Sequence, residues 1–222
     1  MTDIPRLDGP SFGPAAGGAP NKLVVLLHGY GANGDDLIGL APAFAQVLPG
    51  ALFLAPNAPD PCAANPFGGL QWFDVWQHDS PQRLAAVRRA QAAVDDFLDA
   101  RLSALKLADA DLALVGFSQG TMLSLHVSLR RAVPCAGVLG YSGRLESPEL
   151  LPAEIRSRPP VVLVHGEQDP LLNVAMMDDA ARALRSSGVT VETHRRPGLG
   201  HGIDIDGIKI GAAFLTAVLA GR

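Results

Sequence analysis

Residues 112–129 read LALVGFSQGTMLSLHVSL. An apolar run of strand length, Leu112–Val115, stops at a glycine, and an apolar helical run, Thr121–Leu129, begins directly after a second glycine. So short a connection needs glycine where the strand and the helix nearly touch. It lifts the central residue, Ser118, clear of the sheet and places the next backbone N–H at a helix N-terminus. The stretch therefore predicts a sharp turn between a buried strand and a helix, with a serine hydroxyl at its apex.

Strand-length apolar runs and helical stretches alternate through the rest of the chain. Five runs are nearly continuous in Val, Leu and Ala, which is typical of parallel strands covered on both faces; they are Leu23–Leu27, Ala51–Ala55, Leu112–Val115, Ala136–Leu139 and Val161–Val164. A sixth run, Val189–Thr193, alternates in polarity as a half-exposed edge strand does. Further helices are predicted at Asp36–Leu48, Pro81–Leu105, Asn173–Ser187 and Ile203–Leu219. This alternation predicts a three-layer α/β fold with a mostly parallel sheet.

Capping signals and composition set the boundaries of this fold. Asp35 and Asp36 are interpreted as helix-capping groups, Ser80 as the N-cap before Pro81, and Gly188 as a left-handed cap. Residues 1–20 are expected to form an irregular N-terminal lead-in, since residues 9–20 are rich in Gly, Pro and Ala. Residues 21–222 are expected to form one domain, and no insertion is long enough for a separate cap domain.

Charge and cysteine content narrow the class of protein. The 222-residue chain carries a net charge of −4 and has two cysteines, Cys62 and Cys135. The acidic balance argues against a nucleic-acid partner, and so few cysteines favour a cytoplasmic location. No signal peptide is predicted at the first residues. No apolar run approaches the roughly 18 residues of a spanning helix, so integral membrane association is not expected.

A serine hydroxyl is a weak nucleophile until a base accepts its proton and a third group holds that base. In α/β-hydrolases the acid and then the histidine follow the serine along the chain. The strand Val161–Val164 runs into HGEQDP, residues 165–170, so Asp169 lies at the same sheet edge as Ser118, with Glu167 as the competing acid. The predicted acid is Asp169.

Six histidines compete for the role of base. Only His201, in the loop PGLGHG at residues 197–202, follows the last strand and precedes the final helix. His28 and His165 each end a strand before a glycine and are expected to shape their loops. His194 continues the exposed face of the edge strand. His78 and His126 precede the acid and are interpreted as surface or packed side chains.

A glycine-rich loop, HGYGANG at residues 28–34, follows the first predicted strand. In this fold the oxyanion site combines the N–H after the nucleophile, here that of Gln119, with an N–H from this loop, here that of Tyr30. The loop could also hold phosphate, but it matches neither the dinucleotide fingerprint nor the Walker pattern. No spacing of His, Cys and carboxylates suggests a metal site, and we expect no cofactor.

Four of these segments resemble the signatures of the phospholipase/carboxylesterase family, which includes acyl-protein thioesterases and small bacterial carboxylesterases; they are LHGYG (27–31), GFSQG (116–120), HGEQDP (165–170) and GH (200–201). QWFD at 71–74 resembles a further family element. The resemblance implies an α/β-hydrolase fold, a triad of Ser118, Asp169 and His201, oxyanion donors at Tyr30 and Gln119, and a homodimer. Tyr30 departs from the family pattern, where leucine is frequent, but a backbone donor survives that change.

The long loop at residues 56–80 holds Leu70, Trp72, Phe73 and Trp76, whose side chains either line a substrate pocket or pack the loop onto the sheet. Leu171 and Leu172, directly after Asp169-Pro170, are further substrate-contact candidates. The sequence thus predicts a serine carboxylesterase acting on short- to medium-chain acyl esters. The alternatives are an acyl-protein thioesterase or lysophospholipase with the same triad and, more remotely, a non-catalytic binding protein on a hydrolase scaffold.

Overall fold

A computed structural model describes residues 6–75 and 81–220. Its central sheet has seven strands, which are β1 Ser11–Phe12, β2 Lys22–Leu27, β3 Ala51–Leu54, β6 Leu112–Phe117, β7 Gly137–Tyr141, β8 Val161–Gly166 and β9 Val191–Arg196. Their order in the sheet is β1-β3-β2-β6-β7-β8-β9, and only β1 is antiparallel. A separate ribbon pairs β4 Asp60–Pro61 with β5 Leu70–Gln71. The predicted mostly parallel sheet is confirmed.

Helices cover both faces of the sheet. They are α1 Gly34–Ile38, α2 Ala41–Ala45, α3 Pro81–Leu105, α4 Gln119–Arg130, α5 Leu151–Glu154, α6 Ala175–Ser186 and α7 Ile205–Leu219, with 3-10 turns at Asp109–Asp111 and Pro148–Leu150. One apolar core contains buried side chains of α3, α4 and α6, and a second contains those of α1, α2 and α7. The three-layer prediction is therefore confirmed. Within the described residues no helix is both long and apolar enough to span a membrane.

The strands follow their sequence patterns closely. The inner strands are buried along nearly their whole length, whereas β9 lies at the sheet edge with half-buried and exposed residues. The left-handed cap predicted after α6 is present, because Gly188 has φ +80°. The predicted N-cap of α3, Ser80, lies outside the described residues.

The predicted helix over Asp36–Leu48 is two short helices, and this prediction is corrected. α1 ends at Ile38, and α2 begins at Ala41 with Pro42 in its first turn. Proline has no backbone N–H, so the helical hydrogen-bond ladder cannot continue through Pro42. The cap of α1 is Asn33, which exchanges hydrogen bonds with Asp36 of 2.9 and 3.2 Å.

The predicted irregular lead-in also differs from the structure. Ser11 and Phe12 pair with Phe53 and Leu54 of β3 as a short antiparallel edge strand. Leu7 is buried in the core beneath α3 and α4. The segment thus covers the outer edge of β3, where unpaired backbone groups would otherwise face solvent.

A buried histidine lies on the inner face of α4. His126 is 0% exposed, and neither ring nitrogen has a hydrogen-bond partner in the part of the chain that the structure describes. Burial, and then the charge of Arg130, lowers the pKa of His126 to about 3 from an ordinary 6.5. The unfolded chain therefore binds a proton at higher pH than the folded protein. Above pH 6.5 the ring is neutral in both states, so protonation of His126 does not reduce the free energy of unfolding. As the pH falls from 6.5 toward 3, protonation of the unfolded chain lowers that free energy.

We expect His126→Leu to raise stability and to make the protein resist acid. Removing two unpartnered buried nitrogens should add about 1 kcal/mol at pH 7.5, and the gain should grow by up to about 1.4 kcal/mol per pH unit below the ordinary histidine pKa. Urea unfolding at pH 7.5, 6 and 5 measures the effect. His194→Leu is the control, since His194 is half-buried beside Glu192 on β9. The same pH dependence in both variants would contradict the assignment.

Candidate active site

The turn between β6 and α4 holds Ser118 in a conformation that side-chain-bearing residues rarely adopt, with φ +53° and ψ −114°. The two flanking glycines are required by close backbone contacts. A Cβ on Gly116 would lie 2.4 Å from the nitrogen of Thr121, and one on Gly120 would lie 1.7 Å from the carbonyl oxygen of Leu27. The turn is thus as tight as the pattern predicted, and its strain is held by the surrounding strands.

Two contacts fix this turn to the neighbouring strand β7. The backbone N–H of Ser118 donates to the carbonyl oxygen of Tyr141 at 2.8 Å. The buried hydroxyl of Thr121 lies 2.8 Å from the carbonyl oxygens of both Gly116 and Tyr141. Sequence reasoning missed this role of Thr121, for which its position directly after the second glycine was the available signal.

Asp169 and His201 meet at the carboxyl edge of the sheet. His201 Nδ1 lies 2.7 Å from Asp169 Oδ2, and their side chains are 15% and 0% exposed. Asp169 Oδ1 accepts the backbone N–H groups of Leu171 and Leu172 at 2.8 and 2.9 Å. Burial raises the pKa of Asp169, but the hydrogen bonds from Leu172 and His201 outweigh it, so this pKa lies below the ordinary value. The competing acid, Glu167, is exposed.

These contacts define the protonation pattern of His201. An ionised carboxylate only accepts hydrogen bonds, so the proton of the neutral ring sits on Nδ1 and the lone pair on Nε2. The ring packs beside the turn, with its centroid 5.0 Å from that of Phe117, the residue before Ser118. The imidazole therefore packs against the residue before Ser118 and carries an unprotonated Nε2.

A second histidine contacts the same carboxylate. His165 Nε2 lies 2.8 Å from the carbonyl oxygen of Leu172 and 3.2 Å from Asp169 Oδ2. Since a carbonyl oxygen cannot donate, Nε2 carries the proton and is shared between the two oxygens. The ring is 1% exposed, and its Nδ1 has no hydrogen-bond partner among residues 6–75 and 81–220. Beyond the predicted shaping of its loop, His165 thus helps to orient the acid, and its place four residues before Asp169 was the available signal.

The side chain of Gln119 joins the turn to the long loop. Its Oε1 accepts the backbone N–H of Trp72 at 3.0 Å, and its Nε2 donates to the carbonyl oxygen of Phe73 at 2.6 Å. Trp72 Nε1 donates in turn to the carbonyl oxygen of His28 at 3.0 Å. As the first residue of α4, Gln119 has a backbone N–H with no acceptor within the helix.

The glycine-rich loop is held by the same segment. Gly31, with φ +76°, donates its N–H to the carbonyl oxygen of Leu70 at 2.9 Å and accepts from Asn65 Nδ2 at 2.7 Å. His28 Nε2 accepts the N–H of Ala58 at 3.0 Å, and Nδ1 lies 2.8 Å from the carbonyl oxygen of Gly29. Burial lowers the pKa of His28, in keeping with a neutral ring. The half-buried Tyr30 thus lies in a loop fixed on both sides.

The predicted substrate contacts divide into two groups. Trp72 and Phe73 are 1% exposed and belong to the core, so they offer a substrate no surface and instead position the loops. This corrects their assignment as substrate-binding residues. Leu70 and Leu172 are partly buried against the same core, whereas Leu171 is 70% exposed. Trp76 lies outside the described residues.

Comparisons with known proteins agree with this geometry. The chain matches the phospholipase/carboxylesterase family over residues 15–219. It belongs to this family. Esterase YpfH of Escherichia coli K12 is 30% identical over 186 residues, which are 82% of this chain and 77% of that relative. Acyl-protein thioesterase 1 of Neurospora crassa is 27% identical over 211 residues, which are 87% of this chain and 85% of that relative.

Solved structures support the same conclusion. The crystal structure of esterase PE8 superposes with a TM-score of 0.90 at 41% identity, covering 96% of this chain and all of that one, 100%. The chain is accordingly a carboxylic ester hydrolase of the α/β-hydrolase fold. In the described ranges, no three His, Cys, Asp or Glu side chains converge to hold a metal ion.

His165 gives a test of the second contact on Asp169. We expect His165→Leu to lower kcat for ester hydrolysis by about 10- to 100-fold with little change in KM, because the carboxylate loses one of its orienting donors. His165→Gln keeps an N–H donor and should recover most of the activity. Equal losses of kcat in His165→Leu and His165→Gln would indicate that His165 acts through packing alone.

Proposed function

We propose that this family member hydrolyses short- to medium-chain carboxylic esters through an acyl-enzyme on Ser118. The observation that carries the proposal is the Asp169–His201 pair of 2.7 Å beside a strained, glycine-flanked serine. A triad needs a nucleophile raised above the sheet, a base with a free nitrogen and an acid that holds the base. In this proposal Ser118 is the nucleophile, His201 is the base and Asp169 is the acid.

The reaction follows from these positions. Ser118 Oγ attacks the ester carbonyl carbon while His201 Nε2 accepts the hydroxyl proton. Asp169 stabilises the resulting imidazolium and keeps the ring oriented. The backbone N–H groups of Gln119 and Tyr30 stabilise the oxyanion. The alcohol leaves with the proton from His201, and a water molecule, activated by the same nitrogen, then hydrolyses the acyl-enzyme to the carboxylic acid and free serine.

Thioester or lysophospholipid hydrolysis by the same triad is the second candidate. It is favoured by the similarity to acyl-protein thioesterase 1 and by a groove of about 680 Å³ formed partly by the loop after β7, which can accept a longer chain. Matched p-nitrophenyl esters and thioesters from two to sixteen carbons separate the candidates. A maximum at four to eight carbons with esters preferred supports the carboxylesterase, whereas a maximum at long chains with thioesters preferred supports the second candidate.

Covalent labelling tests the proposal without assuming a substrate. A fluorophosphonate probe should modify Ser118 in the intact protein, as peptide mass spectrometry would show. Labelling should be lost in Asp169→Ala and His201→Ala variants that retain their melting temperature. Absence of labelling in the folded wild type would instead favour the non-catalytic binding protein.

The proposal also includes the cellular compartment and the oligomeric state of the protein. Both cysteines, Cys62 and Cys135, are buried and unpaired, which suits a reducing cytoplasmic compartment. A homodimer is supported by the family resemblance. A single domain is supported by the continuous sheet, which extends the domain beyond residues 21–222 to include Ser11 and Phe12 of β1. Light scattering after size exclusion measures the assembly, and a monomer at micromolar concentration would remove the dimer from the proposal.

A further inference from the structure

A groove of about 680 Å³ opens between the N-terminal ends of α3 and α6 and the loop that follows β7. Its walls include Leu84, Leu150, Met176 and Ala180. Because helices in a parallel α/β fold run opposite to the strands, these helix N-termini lie at the carboxyl edge of the sheet, where Ser118 and His201 also lie. An apolar groove at this edge is suited to a substrate chain.

The floor of the groove is joined to the serine turn on two sides. A Cβ on Gly143, the residue before Arg144 in the groove, would lie 3.0 Å from the carbonyl oxygen of Ser118. On the other side, the Arg83 guanidinium lies 5.1 Å from the centroid of the Phe73 ring, and the Phe73 carbonyl oxygen accepts from Gln119. Two residues that line the groove, Arg144 and Arg83, are therefore linked to the turn of Ser118 and Gln119 through Gly143 and Phe73.

Among the described residues, the inner part of the groove holds two guanidinium groups and one carboxylate. Glu146 is buried and makes two hydrogen bonds of 2.8 Å with Arg83. The same carboxylate lies 3.1 Å from Nε of Arg144, whose side chain is 24% exposed. Two guanidinium groups thus share one carboxylate. The terminal nitrogens of Arg144 have no partner in the portion of the chain described by the structure, so they are available to a ligand.

The remaining charges of the groove lie at its rim. Asp179 is paired with Arg182 at 2.7 Å and exposed. Glu149 is exposed on the 3-10 turn after β7 and makes no ion pair with Arg144. Within the described ranges, Glu149 is therefore a rim carboxylate without an ion pair. In the inner groove, the terminal nitrogens of Arg144 have no partner among the same residues.

We propose that this groove selects esters that carry a carboxylate on the part of the substrate directed away from the scissile bond, and that Arg144 is the specificity-determining residue. The proposal rests on the proposed esterase function of Ser118. The apolar walls hold the spacer, and the Arg144 guanidinium binds the carboxylate with charge-assisted hydrogen bonds. The carboxylate can belong to the acyl chain or to the alcohol.

Two matched substrate pairs distinguish these sources. Mono-p-nitrophenyl adipate against p-nitrophenyl hexanoate places the charge on the acyl chain. 4-(Butyryloxy)benzoate against its methyl ester places it on the alcohol. In at least one pair, Arg144→Gln should lower kcat/KM for the carboxylate substrate about 10-fold, mainly through KM, and leave the neutral partner within about 2-fold. Arg101→Gln, at the far end of α3, is the matched control and should change neither.

A second variant keeps the proposal testable even if Arg144→Gln is poorly folded. Glu149→Gln removes the opposing rim carboxylate and should raise kcat/KM for the same carboxylate substrate about 2- to 5-fold, an increase that misfolding cannot produce. Equal effects of Arg144→Gln on charged and neutral esters in both pairs would overturn the inference. Turnover of p-nitrophenyl hexanoate by the wild type, and its loss in Ser118→Ala, tests the esterase function independently.

Discussion

Replacing Ser118 with alanine is expected to lower kcat for p-nitrophenyl butyrate by about 10⁴- to 10⁶-fold, the range seen when a triad nucleophile is removed. The remaining rate should come from the oxyanion donors and from substrate binding. KM should change little, because the hydroxyl contributes to the transition state far more than to the bound ester. Initial rates at saturating ester, with the uncatalysed rate subtracted, measure the effect.

Ser124→Ala is the matched control for this substitution. Ser124 lies on α4, the helix that begins directly after Ser118. It is 0% exposed, and its hydroxyl has no hydrogen-bond partner in the described chain. The control should retain full activity and at least the wild-type melting temperature. If Ser118→Ala kept more than about a tenth of the wild-type kcat, the acyl-enzyme mechanism would be wrong.

Breaking the buried pair of Arg83 and Glu146 is expected to cause the largest loss of stability. Both side chains are 4% exposed, and Arg83 also donates to the carbonyl oxygens of Asp74 and Val75. Arg83→Met leaves the Glu146 carboxylate buried without its main partner, so the free energy of unfolding should fall by about 3–5 kcal/mol. For a chain of this length the melting temperature should drop by roughly 6–20 °C.

The double variant Arg83→Met with Glu146→Leu separates the cost of an unpaired charge from the value of the pair. Replacing both partners with apolar groups removes the buried charge, so most of the stability should return. Arg182→Met is the control on an exposed pair, 72% and 67% exposed for Arg182 and Asp179, and should change the unfolding free energy by less than about 0.5 kcal/mol. A loss below about 1 kcal/mol in Arg83→Met would show that the pair is not a buried charge network.

Much of the framework was predictable because it depends on local patterns. Continuous apolar runs marked the inner strands, and polarity alternation marked β9 as the edge. The two glycines around Ser118 predicted a turn in which side chains at those positions would overlap the backbone of Leu27 and Thr121. Periodicity and turn chemistry act over a few residues, so they can be read from the chain directly.

Other features needed the tertiary structure because they join residues far apart in sequence. Arg83 meets Glu146 across 63 positions, and Trp72 and Phe73 are turned into the core by Gln119, about 46 positions away. The sequence pattern of the 56–80 loop was compatible with aromatic rings that line a substrate pocket and equally with rings that pack the loop onto the sheet. The hydrogen bonds of Gln119 and the burial of Trp72 and Phe73 show that these two rings pack in the core.

Sequence by itself therefore determined the α/β architecture, the family, and the turn that presents Ser118. The tertiary structure decided that Asp169, not Glu167, contacts His201, and it brought His165 to the same carboxylate oxygen. Chain order restricts which acid and which histidine can approach the serine. Which of two acids in one loop turns inward depends on hydrogen bonds from Leu171 and Leu172 that form only after the loop is folded.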